Sequence, residues 1–247
     1  MNTAIDKGRK RALVTGGSGG IGAAICRRLA ADGLHAIVHA HRGGERAQVL
    51  VKDIVERGGS AEAVVFDVTD RSATIIAIEV LLETGAIQVL VNNAGIHDDA
   101  VFPGMRGGQW DRVLDVSLNG FFNVTQPLTM PMLRTRWGRI INISSVAAVA
   151  GNRGQVNYSA AKGALHAASK SLALELASRG VTVNAVAPGL IDTGMIEGQF
   201  DSAAIQRLVP MQRLGHPQEV ADLVGFLASE QAAYISGQVI SINGAMV

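Results

Sequence analysis

Tyr158 and Lys162, in the run Asn157-Tyr158-Ser159-Ala160-Ala161-Lys162, stand one helical turn apart, so a helix here sends both side chains from one face into one small volume. That pairing suits acid–base chemistry. A phenol ionises near pH ~10 and carries protons poorly at neutral pH, but an adjacent ammonium favours the phenolate and brings the pKa down. Ser145 follows the short apolar run Arg139 to Ile143, and a hydroxyl at the carboxyl end of a strand is placed to hold a carbonyl oxygen. The competing reading is a surface Tyr and Lys on an alanine-rich helix with Ser145 in a turn, because the Tyr-x-x-x-Lys spacing is common by chance.

Positioning such a trio takes a scaffold, and the chain alternates apolar runs with helical periodicity. Ala12-Leu13-Val14 reads as a strand, and Thr15-Gly16-Gly17-Ser18-Gly19-Gly20-Ile21-Gly22 leads from it into an apolar-periodic helix from Ala23 to Asp32. Strand, glycine turn and helix together present free backbone N–H groups and a positive dipole end to a phosphate. The turn reads as GxGxxG from Gly17 or as TGxxxGxG from Thr15, so the pattern leaves the subclass open. Further strands follow at His35 to Ala40, Ala61 to Phe66, Val89 to Val91, Val181 to Val186 and Val239 to Ile242, with helices over Glu45 to Arg57, Arg71 to Thr84 and Val220 to Leu227. This cadence predicts an α/β fold of the Rossmann type, a doubly wound, seven-stranded parallel sheet flanked by helices on both faces, with ligands outside the carboxyl ends of the strands.

The second strand ends in His41-Arg42. In dinucleotide-binding βαβ units an acidic residue near this point holds the adenosine ribose hydroxyl, whereas an Arg accommodates a 2′-phosphate; no acid precedes Glu45 here, which favours NADP over NAD. The alternative is that Arg42 merely opens a solvated loop. His35, His39 and His41 share a strand face, but no carboxylate or Cys cluster accompanies them and no metal site is expected.

Composition narrows the class. Of 247 residues 48% are apolar, enough for a sizeable core, and the absence of a linker, repeat or low-complexity tract points to one domain over 1–247. Aromatics are only 4% and the net charge is +1, so nothing favours nucleic acid or a membrane surface, and an anionic partner must be held locally. Cys26 is the sole cysteine, which excludes an internal disulfide and suits a reducing compartment. The apolar run after Lys7, Arg9, Lys10 and Arg11 stops at Thr15, too short for a secretory signal, and no stretch is long and apolar enough to span a bilayer; the expectation is a soluble, cytoplasmic protein.

The glycine turn Thr15 to Gly22, Asn92-Asn93-Ala94-Gly95, the Ser145/Tyr158/Lys162 set and Pro188-Gly189, in this order, resemble a short-chain dehydrogenase/reductase over essentially the whole chain. Within that superfamily the stretches Asn152 to Tyr158, Val209 to Val220 and Tyr234 to Gln238 are most similar to the 3-oxoacyl-[acyl-carrier-protein] reductases. The resemblance implies reduction of 3-oxoacyl thioesters with NADPH: Ser145 holds the substrate oxygen, Tyr158 donates the proton, and Lys162 tunes Tyr158 and binds the nicotinamide ribose. Gly16, Ser18, Gly19, Gly20, Ile21 and Gly22 would hold the diphosphate, His41 and Arg42 the 2′-phosphate, and Asp67 and Val68 the adenine. Asn93, Ala94, Gly95 and Val116 would follow the ribose, with Pro188, Gly189, Ile191 and Thr193 along the nicotinamide. A loop-helix segment at about 190–211, apolar through Met195, Ile196, Phe200 and Ile205, could close over substrate, ordinary packing being the alternative.

One position departs from the family pattern. Ser117 stands where an Asn usually holds a water behind the lysine, and Asn119 cannot substitute, because two residues along a helix it faces elsewhere. Ser117 can itself bond a water, so a working but slower relay is expected, with a weakly active partner subunit of a hetero-oligomer as an alternative reading. Another is a reductase or dehydrogenase of a different small ketone or alcohol. The resemblance further implies a homotetramer packed through the Ser159 to Ser178 helix. It also implies an acidic acyl carrier protein docked on Arg136 and Arg179, although with Arg134 and Arg139 these could be ordinary solvated arginines. Pro127 and Pro131 predict that the helix after Ser117 kinks or breaks.

Overall fold

The computed structural model describes residues 8–193 and 202–247. The strands are β1 (Arg11–Val14), β2 (His35–Ala40), β3 (Ser60–Val65), β4 (Val89–Asn92), β5 (Gly138–Ile143), β6 (Val181–Pro188) and β7 (Val239–Ile242), all parallel in the order 3-2-1-4-5-6-7. Central strands read as continuous apolar runs because both faces are covered. Along β1, Ala12 and Val14 face one side and Leu13 the other. The first side packs on α1 (Gly20–Ala31), α2 (Glu45–Glu56) and α9 (Pro217–Ala228) through Ile25, Leu29, Leu50, Val220 and Val224. The second packs on α3 (Arg71–Glu83), α5 (Gly120–Thr135) and α7 (Val156–Leu176) through Ile78, Val124, Leu128, Met132 and Leu176. The remaining helices, α4 (Gly107–Leu114), α6 (Ala147–Ala150) and α8 (Ser202–Leu208), lie in the connections.

Because every strand is parallel, the sheet has two unlike rims. The order reverses at β1, which pairs β2 on one side and β4 on the other, and this switch point opens a crevice at the carboxyl rim. The seven parallel strands expected from the sequence are present, with α9 starting three residues earlier than periodicity alone indicates. There His216 and Glu219 form a capping box ahead of Pro217 at the first helical position.

The proline expectation needs correcting as far as a break is concerned. Helix α5 runs unbroken through Pro127 and Pro131. Val124, Leu128 and Met132 recur every four residues and are fully buried against the sheet, so packing of that stripe outweighs the backbone bonds the prolines remove. The irregularity sits earlier: Asp115–Asn119, between α4 and α5, is a π-helical turn. It buries Ser117, while Asn119 faces solvent and donates to Asp115 Oδ1 at 2.6 Å.

Candidate active site

At the switch point the turn after β1 is stitched to the end of β4. Thr15 N donates to Val91 O at 3.0 Å, and Thr15 Oγ1 accepts from the N–H groups of Asn93 and Ala94, both at 3.0 Å. The Asn93 amide donates to the carbonyls of Thr15 and Gly16 at 3.0 and 3.1 Å, so this side chain is spent on holding the turn. Gly16 adopts φ +62°, a left-handed conformation that bends the chain away from β1; Gly17 N turns back to His39 O at 2.8 Å and Gly19 N to Gly16 O at 3.2 Å. Helix α1 then starts at Gly20 with no side-chain cap and no acid in its first turn. Its leading N–H groups therefore face the crevice with the positive end of the helix dipole, ready for an anion.

Residues expected from the sequence to flank a ligand lie around this crevice and beneath it. Asp67 follows β3 and accepts from Thr69 N and Oγ1 at 2.9 and 2.7 Å, with His41 Nδ1 at 3.5 Å. Burial alone would raise its pKa; the two Thr69 bonds and the nearby charges of His41 and Arg42 reverse this and hold its carboxyl below the ordinary range. Val68 and Val116 lie in the second core cluster, with Val68 packed against Gly120. Ile191 is instead buried in the first cluster beneath Gly215, and Thr193 rests on Gly20, where an added Cβ would meet its own at 2.8 Å. Pro188 ends β6, and Gly189 N donates to Ile242 O at 2.9 Å. Of the loop-helix segment, Met195, Ile196 and Phe200 lie outside the described residues.

The acid–base trio converges beside this crevice. Ser145 follows β5, and Tyr158 and Lys162 come from the first turns of α7. The Ser145 hydroxyl is close enough to the Tyr158 phenol to pull its pKa down, and it accepts from Ala147 N at 3.2 Å. Lys162 is 3% exposed; its Nζ lies 5.9 Å from the Tyr158 ring centroid and donates to Ile143 O at 2.8 Å, its one acceptor among the described residues. Burial lowers its pKa to about 8. Close by, Ser117 Oγ is buried with no hydrogen-bond partner among the described residues, and a Cβ added to Gly95 would meet Lys162 Nζ at 2.9 Å and Ser117 Oγ at 3.6 Å. A fully buried ammonium with one acceptor and an orphaned hydroxyl beside it are polar groups with capacity to spare.

The expected tuning of the phenol is not what the protein's own groups produce. Burial pushes the Tyr158 pKa up; the Ser145 hydroxyl opposes this and the Asp99 charge adds to it. Lys162 Nζ, 5.9 Å from the Tyr158 ring centroid, is bonded to the β5 carbonyl of Ile143.

Several residues that hold the trio gave no signal in the sequence. Asn157 caps the approach to Tyr158: its Oδ1 accepts from Tyr158 N at 2.8 Å, while Nδ2 donates to the carbonyls of Asp98 and Gln109 at 3.0 and 3.1 Å. Ser144 Oγ donates to Lys162 O at 3.0 Å and is 2.7 Å from His166 Nε2, tying α7 to β5. His39, one of three histidines on the second strand, is buried beneath the glycine turn. Arg136 and Arg179 are exposed, but near the amino ends of β5 and β6, on the rim opposite the trio. Arg139, grouped with them as a basic surface residue, is 2% exposed. Among the described residues no His, Cys, Asp and Glu group could hold a metal, and no helix is long and apolar enough to cross a membrane.

Comparison with known proteins agrees with this geometry. The short chain dehydrogenase family model matches residues 10–204. The chain is 45% identical over 236 residues to the 3-oxoacyl-[acyl-carrier-protein] reductase FabG of Aggregatibacter actinomycetemcomitans, covering 95% of this chain and 98% of the relative. Similarity to the FabG of Staphylococcus aureus strain Mu50 is 44% over 240 residues, covering 96% and 98%. Nodulation protein G of Azospirillum brasilense is 43% identical over 241 residues, again covering 96% and 98%. With agreement of this length and identity, the chain belongs to the short chain dehydrogenase family of oxidoreductases.

Proposed function

We propose that this protein reduces 3-oxoacyl thioesters carried on an acyl carrier protein to the 3-hydroxyacyl products with NADPH, in fatty-acid or related lipid biosynthesis, as a single domain over 1–247. The observation that carries the reading is the meeting of Tyr158, Ser145 and the under-satisfied Lys162 ammonium, its Nζ 5.9 Å from the Tyr158 ring centroid, at the carboxyl rim beside an uncapped helix start. Relatives named as 3-oxoacyl-[acyl-carrier-protein] reductases, similar over nearly their full length, give the substrate class.

The residues fit a dinucleotide. The first-turn amides of α1, with Gly16, Ser18, Gly19, Gly20, Ile21 and Gly22, hold the diphosphate; His41 and Arg42 favour the 2′-phosphate; Asp67 and Val68 flank the adenine. Gly95, Val116, Lys162 and the Pro188-Gly189 turn take the nicotinamide half, with Lys162 donating its spare hydrogens to ribose hydroxyls. When bound, NADPH supplies the hydride. Ser145 donates a hydrogen bond to the ketone oxygen, and Tyr158 delivers the proton as that oxygen gains charge. Lys162 keeps a positive charge near the phenol at neutral pH, since its lowered pKa still lies above 7. Ser117 Oγ bonds a water that returns a proton toward Lys162.

Two experiments test this. NADPH oxidation with an acetoacetyl thioester is expected for the wild type, and Tyr158→Phe should lose at least about a hundredfold in kcat while still binding NADPH; unchanged turnover would remove the proton-donor assignment. Arg136 and Arg179 receive the acidic carrier, although α7, whose 21 residues span about 30 Å, separates Arg179 from Tyr158 of the same protomer. Their double replacement by Glu should raise KM for carrier-bound but not coenzyme A-bound substrate, and equal effects on both would exclude docking there. The protein assembles as a homotetramer, with exposed Leu174 on α7 and Phe122 and Met130 on α5 on the same side of the sheet as candidates for burial between copies.

A further inference from the structure

We infer that His39 is a positioning residue that sets the glycine turn for the dinucleotide from beneath, without touching the ligand; this deepens the proposed function and rests on NADPH being held at that turn. His39 lies in β2, one residue before its end, and is 1% exposed. Gly16 N donates to its Nδ1 at 3.0 Å, and Gly17 N donates to its backbone carbonyl at 2.8 Å. On the other side of the ring, Nε2 lies 2.9 Å from Phe66 O, with the Phe66 ring centroid 4.2 Å away. A carbonyl can only accept, so Nε2 carries the hydrogen and Nδ1 the lone pair, the one neutral tautomer that satisfies both neighbours. Burial holds the imidazole in that neutral form by pushing its pKa down to about 4, against the Phe66 bond; His41 adds to the lowering and Asp67 opposes it. Gly16 is thereby fixed at both ends, its N–H by His39 and its carbonyl by Asn93 Nδ2 and Gly19 N. Because Phe66 immediately precedes Asp67, one ring also spaces the loop that offers anion-binding amides from the loop beside His41 and Arg42. Without an acceptor at position 39 the left-handed Gly16 loses the bond that holds it, and the two walls of the crevice lose their common spacer.

The test compares wild type, His39→Leu, His39→Asn and His39→Gln by equilibrium titration of NADPH and by thermal melting of the unliganded protein. An Asn amide oxygen stands near the place of Nδ1 and can take the Gly16 N–H, whereas Gln reaches toward Phe66 O. His39→Leu is expected to raise Kd about tenfold, with kcat at saturating NADPH within about twofold of wild type; His39→Asn should stay within about threefold in Kd, and His39→Gln should resemble Leu. Wild-type affinity in a folded His39→Leu protein overturns the inference, as does a loss in kcat with Kd unchanged. Should Leu not fold, equal Kd values for Asn and Gln overturn it too. A wild type that melts normally but does not bind NADPH defeats the proposed function itself, and this inference with it.

Discussion

Both rims of the sheet bury cations, and they treat them in opposite ways. At the amino rim Arg139 donates from Nη1 to Gly138 O at 2.9 Å and from Nε to Ser229 O at 3.2 Å, and its guanidinium stacks 4.2 Å from the Trp137 ring centroid. Arg11, on the same rim, bonds the carbonyls of Leu81 and Gly85 at 2.6 and 2.8 Å and pairs with Glu62 at 2.8 Å, leaving only Nε without a partner. These guanidiniums close the ends of helices and strands. At the carboxyl rim Lys162 is as deeply buried with a single acceptor among the described residues, next to the Ser117 hydroxyl, which has no partner among them. A satisfied buried cation is structural, and an under-satisfied one marks where a ligand and water complete the hydrogen bonding.

The largest effect that could break this comparison is a pair of substitutions with opposite signs. Arg139→Met should destabilise the fold by ~2–4 kcal/mol, because the carbonyls it serves are left buried without donors. Lys162→Met should raise stability at pH 7 by up to about 3.5 kcal/mol while abolishing turnover, since burial depresses the Lys162 pKa from 10.5 to about 8 and each unit is worth ~1.4 kcal/mol. The sign follows from linkage: the unfolded chain binds this proton more tightly, so the penalty is absent above pH ~10.5, grows as pH falls, and is complete below pH ~8. The Met variant's advantage should therefore shrink between pH 8 and pH 10 in denaturant titrations. A loss of stability on replacing Lys162 would erase the distinction between the rims.

Gly95→Ala sharpens the same contrast at the next magnitude. Its Cβ would sit 2.9 Å from Lys162 Nζ, which has nowhere to retreat while it bonds Ile143 O. Turnover should fall up to about a hundredfold through misplacement of the ammonium, with the melting temperature nearly unchanged. Steady-state kinetics beside a melting curve separates this from simple unfolding. Wild-type kcat would mean that the position of Nζ is not critical.

What the sequence disclosed of this arrangement was whatever sits within a few residues or repeats with a period. The glycine turn, the Tyr158/Lys162 spacing and the strand cadence are local, and all were readable. His39 was not, because its partners Gly16 and Phe66 lie 23 and 27 residues away and nothing in a strand histidine announces them. Asn157 reaches Asp98 across 59 residues for the same reason. Arg139 looked like its neighbours Arg134 and Arg136 since charge carries no depth; only the return of Ser229 and the Trp137 ring makes it internal. The direction of the Tyr158 pKa is not legible in the sequence because spacing fixes which residues are close, while burial, which spacing does not reveal, is the largest effect on the phenol.

The smallest effects come from exposed cations, one on each rim. Arg42 follows β2 at the carboxyl rim, where its charge acts on Asp67. Arg42→Asp should weaken NADPH relative to NADH by about tenfold or more and leave thermal stability within ~0.5 kcal/mol. Lys10, at the amino rim, lies 4.1 Å from the Trp137 ring centroid and 2.9 Å from Glu230 Oε1, half exposed. Lys10→Met should lower stability by less than about 1 kcal/mol, because an exposed ion pair and cation–π contact are weak, and should leave the NADPH/NADH ratio alone. Titrating both cofactors against the two variants checks the rim assignment directly: a Lys10 change that alters cofactor preference, or an Arg42 change that alters only the melting temperature, would mean that charge at the two ends of the strands is not divided between ligand and fold.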